Sequence, residues 1–408
     1  MKTLFISRNS PFESIGGIER YITNLIAYYK LLANSQLFLM LPTEKEVDYI
    51  EKDKNITIYY SNSLFLKRSS VSSKKEISQK AQLFSENLTK IITQEKIDII
   101  CAENFHTDLP VAFSLLLTLV TMTHKIPLVL QMHSFSSTDL QTEIVNQLKW
   151  DRISCVSKSV AGDCFQKGTD INYISTHYLG VDTNEFNAEK MTNSDLKKSL
   201  DLKEEDKIIL TATRIIKGRQ NILQEKGLIN LIEAFSKITS RFPNVKLLIA
   251  IGKPPENLNA EFKLAYDMLK GYIKLHNIED NTILKMFKLN EMADVYKASD
   301  VFVLTSENET FGQVFIESMA SGTPVIGTKT GGIPEIISDS YNGYLIPPND
   351  ASILAQKIEK LLVDTSLANK FINAGIKTVK SNFSAFKQFS DFQKDLESLV
   401  TERQNTIQ

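Results

Sequence analysis

The stretch SENETFGQVFIESMASGTPVIGTKTGGIPE, residues 306–335, decides the fold predicted for this chain. The apolar run DVFVLT, Asp300–Thr305, lies directly before it and predicts a buried strand. Two glutamates, Glu309 and Glu317, are eight residues apart, which would point them in different directions on one straight helix. We therefore place Glu309 in the loop that leaves the strand, and Glu317 within a helix that residues 311–313 open.

The start of such a helix favours phosphate, because its first N–H groups are unpaired and lie at the positive end of the helix dipole. A carboxylate beside it suits the hydroxyl groups of a ribose or another sugar. The stretch therefore indicates a nucleotide sugar as the ligand.

The composition is that of a soluble enzyme with more than one core. A length of 408 residues exceeds the usual size of a single hydrophobic core and predicts two domains. Since 47 basic residues face 48 acidic ones, the chain lacks the basic excess of a nucleic-acid binder, and we expect no nucleic-acid partner.

The cysteines and the apolar runs predict a cytoplasmic protein. Cys101, Cys155 and Cys164 are odd in number and lack CxxC spacing, which argues against a disulfide framework or a zinc site. The longest apolar run, Val111–Met122, is too short to span a bilayer and is interpreted as a buried helix. The stretch Lys67–Lys80 is interpreted as a solvated loop leading into a helix, with a peripheral contact to the inner face of a membrane as the alternative.

Strand-like and helix-like segments alternate through the chain, and the pattern restarts after about Asp182. Apolar residues at helical spacing follow Gly17, and Lys226–Phe242 and Phe311–Ser321 also predict helices. This alternation is typical of parallel sheets wrapped by helices, with ligand in the cleft beyond the carboxyl ends of the strands. The predicted strands are Lys2–Ser7, Ser35–Leu41, Ile56–Tyr60, Ile97–Ala102, Pro127–His133, Arg152–Val156, Lys207–Thr213, Val245–Gly252, Thr282–Phe287, Asp300–Thr305 and Pro324–Gly327.

The run from Glu309 to Glu335 resembles the signature of the retaining family-4 glycosyltransferases, which carry an E-x7-E element on the GT-B fold. The pattern ExFG…ExMAxGxPVIGTxxGGxPE is reproduced almost without departure. Further segments resemble the family in the expected order: Gly16–Arg20, Gln131–His133, Gly180–Thr183 with Phe186, Lys226–Leu228 with Leu231–Phe235, and Phe383-Ser384 before a final helix.

The resemblance implies an α/β protein of GT-B fold, in which two Rossmann-like, doubly wound domains face a central cleft. Residues 1–183 and 386–408 would form the acceptor-side domain with its returning C-terminal helix, and residues 184–385 the nucleotide-sugar domain. The implied activity is retaining transfer of a hexose from a UDP- or GDP-sugar to a hydroxyl group, in glycan or glycoconjugate biosynthesis. The acceptor would be a glycan, a lipid-linked sugar or a small molecule.

The resemblance assigns the donor's diphosphate to Arg214 and Lys226. The family usually separates these two cations by four residues, whereas here eleven residues lie between them. Lys217 lies within the gap, but only Lys226 is followed, after Gly227, by the sequence LINLIEAF. We therefore assign the role to Lys226.

The remaining donor residues follow from the same resemblance. Glu317 is expected to bind the two ribose hydroxyls and Glu309 the hydroxyls of the transferred sugar. The backbone N–H groups of Phe311, Gly312 and Gln313 would hold the sugar or the phosphate.

On the first domain, Gly16 and Gly17 would let backbone N–H groups approach the donor phosphate, since a side chain there would block it. His133 is expected to contact the donor sugar or the acceptor, and Glu19 and Glu103 are acceptor-side candidates. Glu103 belongs to the segment Cys-Ala-Glu, residues 101–103, where many members of the family have His-x-His, and this departure leaves the acceptor class open.

We expect no metal and no cofactor. The chain contains no Asp-x-Asp pair, the element that commonly holds a divalent ion on the donor diphosphate in metal-dependent transferases. Fixed cations and helix-end amides can stabilise the same charge. Two alternatives to a transferase remain open: another GT-B sugar-nucleotide enzyme such as an epimerase, and a non-catalytic sugar-binding partner of a transferase.

Overall fold

A computed structural model describes residues 1–10, 16–66, 73–136, 140–190, 196–215, 221–254 and 259–407. The chain divides into two compact units. Ile18–Leu179 belongs to the first unit, together with the first strand, and Gly180–Ala385 belongs to the second. The chain returns to the first unit from Phe386 onward.

The first unit is built on an eight-stranded sheet with the order β3-β4-β2-β1-β5-β6-β7-β8. Every neighbouring pair is parallel except β3 and β4, which are antiparallel at one edge. Its strands are β1 (Lys2–Ile6), β2 (Gln36–Pro42), β3 (Tyr49–Asp53), β4 (Ile56–Ser61), β5 (Ile99–Glu103), β6 (Leu128–Met132), β7 (Arg152–Cys155) and β8 (Ile174–Thr176). The helices between them are α1 (Gly17–Tyr29), α2 (Lys74–Glu95), α3 (Val111–His124), α4 (Leu140–Gln147) and α5 (Lys158–Gln166).

The second unit is built on a six-stranded, all-parallel sheet with the order β11-β10-β9-β12-β13-β14. Its strands are β9 (Lys207–Thr213), β10 (Val245–Ile251), β11 (Thr282–Met286), β12 (Val301–Leu304), β13 (Val325–Thr328) and β14 (Tyr344–Ile346). Its helices are α6 (Leu196–Ser199), α7 (Ile222–Glu225), α8 (Leu228–Thr239), α9 (Asn259–Leu275), α10 (Met292–Lys297), α11 (Gln313–Ala320), α12 (Ile333–Ile336), α13 (Ala351–Val363) and α14 (Thr365–Asn382). The last helix is α15 (Ala385–Ile407).

The amphipathic helices of the second unit form its core with the sheet. In α8, the residues with apolar spacing are buried against the strands, among them Leu231, Ile232 and Phe235. Strands β9, β10 and β12 are buried along most of their length, which is why they read as continuous apolar runs rather than alternating ones.

The last helix, α15, packs on the first unit through aromatic and charged side chains. The Phe389 ring lies 5.1 Å from the ring of Tyr21 and 5.5 Å from that of Tyr28. Asp395 pairs with Arg152 at the start of β7, with 3.5 Å between Nη2 and Oδ1. The helix therefore belongs to the hydrophobic core and the charged rim of this unit.

The fold class is confirmed: the protein is an α/β protein with two parallel-sheet units. Each of the eleven predicted strands corresponds to a strand of the structure with ends shifted by a few residues. Three strands were not predicted, namely β3, β8 and β14, and all three lie at sheet edges. Edge strands are short and only half-buried, so their sequences carry little apolar periodicity.

Three helix predictions need correction. Lys226 does not begin a helix: it caps the end of α7, and α8 starts only after Gly227. The helix with Glu317 starts at Gln313, because Gly312 has a left-handed backbone with φ +101°. The run at Val111–Met122 forms α3, which is not wholly buried: several of its apolar side chains lie on an exposed face, namely Leu115, Leu119 and Met122.

In the part of the chain that is described, no helix is long and apolar enough to cross a membrane. Residues 67–72 of the predicted loop at Lys67–Lys80 lie outside the described residues, and α2 begins at Lys74.

Candidate active site

In each sheet the strand order reverses at one point, the topological switch point, so that the chain runs outward from it in both directions. Open α/β sheets bind ligands at such points. In the second sheet this point lies between β9 and β12. Arg214 directly follows β9 and is exposed, and Glu309 lies in the loop after β12. The parallel arrangement of the two strands places both residues at the carboxyl edge of the sheet.

Lys226 is fixed beside the β12 loop by the residues on either side of it. The backbone oxygen of Glu225 accepts a hydrogen bond from Glu307 N–H at 2.9 Å. The backbone oxygen of Gly227 accepts one from Thr305 Oγ1, also at 2.9 Å. The Lys226 ammonium then lies 3.6 Å from Glu309 Oε2, with both side chains about three-quarters buried or more.

Glycine is the only residue type that fits at position 227 in this turn. Its backbone is left-handed, with φ +67°. A Cβ atom there would lie 2.0 Å from the backbone oxygen of Thr305. The sequence motif Lys-Gly at residues 226–227 therefore has a steric cause, since a side chain would push the lysine turn away from the β12 loop.

The loop that carries Glu309 is held from the opposite side by residues 328–332. The hydroxyls of Thr328 and Thr330 donate to the backbone oxygen of Ser306 at 2.6 and 2.9 Å. Gly332 N–H donates to the backbone oxygen of Glu309 at 2.9 Å. The Gly-Gly pair in the signature thus positions the backbone at Glu309.

Glu317 lies in α11 and is buried, with 6% of its surface exposed. The hydroxyl of Tyr296, on α10, donates to Glu317 Oε2 at 3.1 Å. Nothing in the sequence around Tyr296 distinguished it from an ordinary core aromatic. The contact exists because the fold places α10 and α11 side by side.

The residues at the start of α11 offer backbone groups and one amide side chain. The Phe311 side chain is buried, and its ring lies 5.8 Å from that of Phe383. Both polar atoms of the Gln313 side chain are buried and make no hydrogen bond within the described residues. Phe311 and Gly312 are therefore suited to act through the backbone, and Gln313 through its side chain as well.

A polar cluster that the sequence did not predict anchors the segment between Arg214 and Lys226. Glu307 Oε1 accepts hydrogen bonds from Gln224 Nε2 and Asn349 Nδ2, each at 2.7 Å. These two bonds lower the pKa of the Glu307 carboxyl group. Residues 216–220, with Lys217, lie outside the described part of the chain.

In the first sheet the strand order reverses between β1 and β5. The remaining predicted residues come from α1 and from the ends of β5 and its neighbour β6. Gly16 precedes α1 and Gly17 begins it. Glu19, in the first turn of α1, is buried. Glu103 ends β5, and His133 follows β6 directly. Glu103 Oε2 lies 3.4 Å from His133 Nε2, so the structure brings these two predicted residues together.

The groups around this pair are held in their neutral forms by burial. Burial, followed by the charge of Glu103, raises the pKa values of Tyr21 and Cys101. Burial lowers the pKa of His106 to about 4, although its Nε2 meets the backbone oxygen of Ser134 at 3.2 Å. Among the described residues, no cluster of three or more His, Cys, Asp or Glu side chains could hold a metal ion.

Two sequence models of known families match the chain, one on each half. The model described as Glycosyltransferase Family 4 matches residues 15–185. The model described as Glycosyl transferases group 1 matches residues 193–378, which contain the β9–β12 site. The chain belongs to glycosyltransferase family 4. It is therefore a glycosyltransferase.

The chain is similar to named sugar-transferring enzymes. The chain is 27% identical over 316 residues to the N-acetyl-alpha-D-glucosaminyl L-malate synthase of Bacillus anthracis, an alignment that covers 76% of this chain and 77% of that enzyme. It is 31% identical over 172 residues to a lipopolysaccharide core biosynthesis glycosyltransferase of Rhizobium meliloti, which covers 42% and 46% of the two chains.

Solved GT-B glycosyltransferases share the fold over nearly the whole chain. A glycosyltransferase of Rickettsia africae superposes with a TM-score of 0.78 at 21% identity and 98% coverage of both chains. HepE of Anabaena, solved in complex with UDP and glucose, superposes with a TM-score of 0.74 at 19% identity and covers 98% of this chain and 100% of its own.

Proposed function

We propose that this family-4 glycosyltransferase moves a hexose from a UDP- or GDP-sugar to a hydroxyl acceptor, with retention of anomeric configuration and without a metal ion. The product would be a glycan or a glycoconjugate, made in the cytoplasm. The observation that carries the proposal is the Lys226–Glu309 pair at the carboxyl edge of the second sheet, where hydrogen bonds from the Glu307 N–H and the Thr305 hydroxyl hold the lysine turn.

This pair is suited to a ligand that is anionic at one end and rich in hydroxyls at the other. A partly exposed ion pair contributes little to folding stability, about 1 kcal/mol at most. Lys226 can therefore exchange the Glu309 carboxylate for a diphosphate at little cost, and Arg214 adds a second, exposed cation at the same edge. Glu309 is then released to accept hydrogen bonds from the sugar.

The roles of the other donor residues follow from their environment. Glu317 already accepts one hydrogen bond from Tyr296 and is assigned the ribose hydroxyls. Backbone N–H groups at Phe311 and Gly312, with the Gln313 side chain, are assigned the phosphate or the sugar. In the transition state, the two cations would stabilise the negative charge that develops on the leaving diphosphate.

Retention would follow if the acceptor attacks from the face that the leaving group departs from, so that the leaving phosphate takes the acceptor's proton. The carboxyl edge of the first sheet would supply the acceptor-side contacts. His133 is assigned to the transferred sugar or the acceptor, Gly16 and Gly17 to the donor phosphate, and Glu19 to the acceptor side.

Binding of free nucleotides tests the donor class most directly. HepE holds UDP, so UDP is the first probe, beside GDP and ADP. A nucleotide at about a hundredfold excess over its dissociation constant should stabilise the protein by about 2.7 kcal/mol in a thermal-shift measurement. Lys226→Ala should abolish most of that shift, and Lys237→Ala, which removes an exposed lysine of α8, should leave it intact. No shift with any of the three nucleotides would refute the proposed donor class.

Activity in the presence of EDTA tests metal independence. Release of nucleoside diphosphate from the nucleotide sugar should continue, because the proposed site stabilises the diphosphate with fixed cations. Loss of turnover in EDTA that Mn²⁺ or Mg²⁺ restores would show that a metal is required. Product analysis distinguishes transfer from epimerisation, since an epimerase would return a nucleotide sugar altered at one carbon.

A further inference from the structure

Glu103 and His133 lie side by side at the carboxyl edge of the first sheet. Strands β5 and β6 are parallel neighbours in which Glu103 is paired with Gln131, and His133 lies two residues beyond Gln131. The two side chains are only 1% and 4% exposed. A carboxylate and an imidazole at 3.4 Å, both screened from water, interact far more strongly than the same groups at the surface.

The backbone at this point is built to hold the histidine. Asn104 adopts a left-handed conformation with φ +49°, which is uncommon for a residue other than glycine. In that conformation its Oδ1 accepts the His133 backbone N–H at 2.8 Å, and its own N–H donates to the backbone oxygen of Gln131 at 2.9 Å. The ends of β5 and β6 are thereby joined by a single asparagine.

The His133 ring is also confined by its neighbours. The Tyr21 ring meets it edge-on, with 4.9 Å between centroids. The Tyr21 hydroxyl in turn accepts a hydrogen bond from Gln131 Nε2 at 2.6 Å. These contacts fix the position of the imidazole. What they do not fix is the flip of the ring, which determines which of its two nitrogens faces Glu103.

The polar atoms of this pair are otherwise unsatisfied within the described residues. Neither carboxylate oxygen of Glu103 and neither ring nitrogen of His133 has a hydrogen bond of good geometry. A buried carboxylate without a donor is strongly unfavourable, and the His133 Nε2–H can supply one from 3.4 Å away. A movement of about 0.5 Å would bring the two atoms to ordinary hydrogen-bond distance.

The titratable groups that act on this pair come from three elements. Tyr21 lies on α1 and Cys101 on β5, and both are kept neutral by burial and by the Glu103 charge. His106, in the segment after β5, is kept neutral mainly by burial, and the neighbouring His133 ring also lowers its pKa. Helix α1 also carries the buried Glu19 and Arg20.

We propose that Glu103 is a positioning residue for His133 and not an acceptor-binding residue. Its carboxylate accepts the Nε2–H of the imidazole, which fixes the orientation of the ring and leaves the lone pair on Nδ1. This inference rests on the proposed function only in assigning His133 to the transferred sugar or the acceptor. The hydrogen bond itself can be observed in the absence of any substrate.

Nuclear magnetic resonance of the histidine rings tests the hydrogen bond. The chain has only five histidines, so the ring signals can be assigned by single substitutions. In the wild-type protein we expect the His133 Nε2–H proton to be protected from exchange with water. Glu103→Ala should remove that protection, and Glu103→Gln, which keeps an acceptor oxygen, should retain part of it. The His106 Nε2–H, which faces the Ser134 backbone oxygen, is an internal control and should persist in both variants.

Kinetics with the nucleotide sugar that binds best test the consequence. Turnover should fall by about tenfold in Glu103→Ala and by less in Glu103→Gln. Loss of the carboxylate partner of a metal-binding histidine costs about 10- to 100-fold in activity, and we expect the lower end of that range here. Affinity for the free nucleoside diphosphate should stay unchanged, because Glu103 is not among the residues assigned to the diphosphate, and its two cations, Arg214 and Lys226, lie in the second unit.

The possible outcomes separate the two proposals. If the His133 ring signals are the same in Glu103→Ala and in wild type, the positioning role is wrong. An equal loss of diphosphate affinity and turnover would also overturn it, since the effect would then be a general one on folding. If the ring signals change and turnover does not, Glu103 does position the ring, and the proposed assignment of His133 to the reaction is wrong.

Discussion

The charged groups at the carboxyl edges of the two sheets differ in their exposure to water and in their hydrogen-bond partners. At the second sheet, Lys226 and Glu309 are partly exposed, and hydrogen bonds from Thr305 and Glu307 hold the lysine turn from both sides. At the first sheet, Glu103 and His133 are almost completely buried, and within the described residues their side-chain polar atoms have no hydrogen-bond partner outside the pair. The second edge can exchange its internal ion pair for a ligand, whereas the pair at the first edge is shielded from water.

This difference indicates a division of labour. A site that must bind and release a charged diphosphate in every cycle needs cations that water can reach, because the desolvation of a buried cation would be costly. A residue that must present one edge of a ring at a fixed place benefits from burial and a single strong partner. The following changes test how far the two edges differ, beginning with the largest expected effect.

Gly227→Ala should be the most damaging single change at the second edge. The new Cβ would meet the Thr305 backbone oxygen at 2.0 Å in a left-handed turn, so the lysine turn must move. We expect a loss of about 3 kcal/mol in the free energy of unfolding of the second unit. Denaturant titration measures it, with Gly271→Ala in α9 as the control, since nothing lies within 4 Å of a Cβ there. Equal stability of the two variants would contradict the steric role of Gly227.

Arg214→Ala and Lys226→Ala should each lower turnover by about 10²-fold, equivalent to about 2.7 kcal/mol, because each removes charge aimed at the leaving diphosphate. Folding should change little, since neither side chain belongs to a core. Steady-state kinetics measure the loss. If Lys217→Ala proves more harmful than Lys226→Ala, the assignment across the long segment between the two cations is wrong.

The first unit should lose stability in mild acid. The pKa of His106 is about 4 in the folded protein against 6.5 for a free histidine, so below about pH 6.5 the unfolded chain binds a proton that the folded chain does not. Stability therefore falls as the pH decreases from about 6.5 to 4, by about 2 kcal/mol between pH 7.5 and 5. The pKa of His177 is also lowered by burial and adds to the same trend.

Unfolding followed at several pH values measures this effect. In His106→Gln the dependence on pH should become shallower, because one of the two histidines with a lowered pKa no longer titrates. A wild-type protein that is as stable at pH 5 as at pH 7.5 would contradict the burial of these rings in neutral form.

Glu317→Gln and Glu309→Gln should separate binding from turnover. Glu317 is assigned to the ribose, which does not change in the reaction, so its variant should weaken donor and free nucleoside diphosphate alike, by about tenfold. Glu309 is assigned to the transferred sugar, so its variant should spare diphosphate binding, lower turnover and alter the preference between donor sugars. Calorimetry with the free diphosphate, beside kinetics on the donor, decides between them. Equal losses of diphosphate affinity would refute the division.

Gln224→Ala should have the smallest effect, a few-fold loss of turnover that corresponds to about 0.5–1 kcal/mol for its two exposed hydrogen bonds, to Glu307 and Asn349. It removes one of the bonds that tie α7 to Glu307 and so loosens the lysine turn. A double-mutant cycle with Lys226→Ala checks the cause. The two effects should not add, and additive losses would mean that Gln224 acts independently of Lys226.

The arrangement of the carboxyl edge of the second sheet could largely be predicted from the sequence because many of its residues lie in one continuous run. The glycines, the two glutamates and the apolar strand before them all lie between Asp300 and Glu335, so their spacing already implied strand, loop and helix in that order. Structure corrected details within that order. Gly312 precedes the helix instead of belonging to it, and Lys226 caps α7 in a turn that the sequence did not reveal.

The residues that support this edge could not be predicted in the same way. Tyr296, Gln224 and Asn349 reach the site from three separate segments, and each belongs to a residue type that is common in cores or on surfaces. Their roles depend on which side chains the folded sheet brings within hydrogen-bond distance. A single sequence contains no local signal for such pairs.

By itself, the sequence determined the fold class, the family and the donor-side motif, because apolar periodicity, glycine placement and motif spacing are local properties of the chain. Only the tertiary structure decided that Glu103 faces His133. The two residues end neighbouring strands that are separated along the chain by α3, and parallel pairing brings them to 3.4 Å. Burial then determines how they act, because a carboxylate that water cannot reach must find its partner inside the protein.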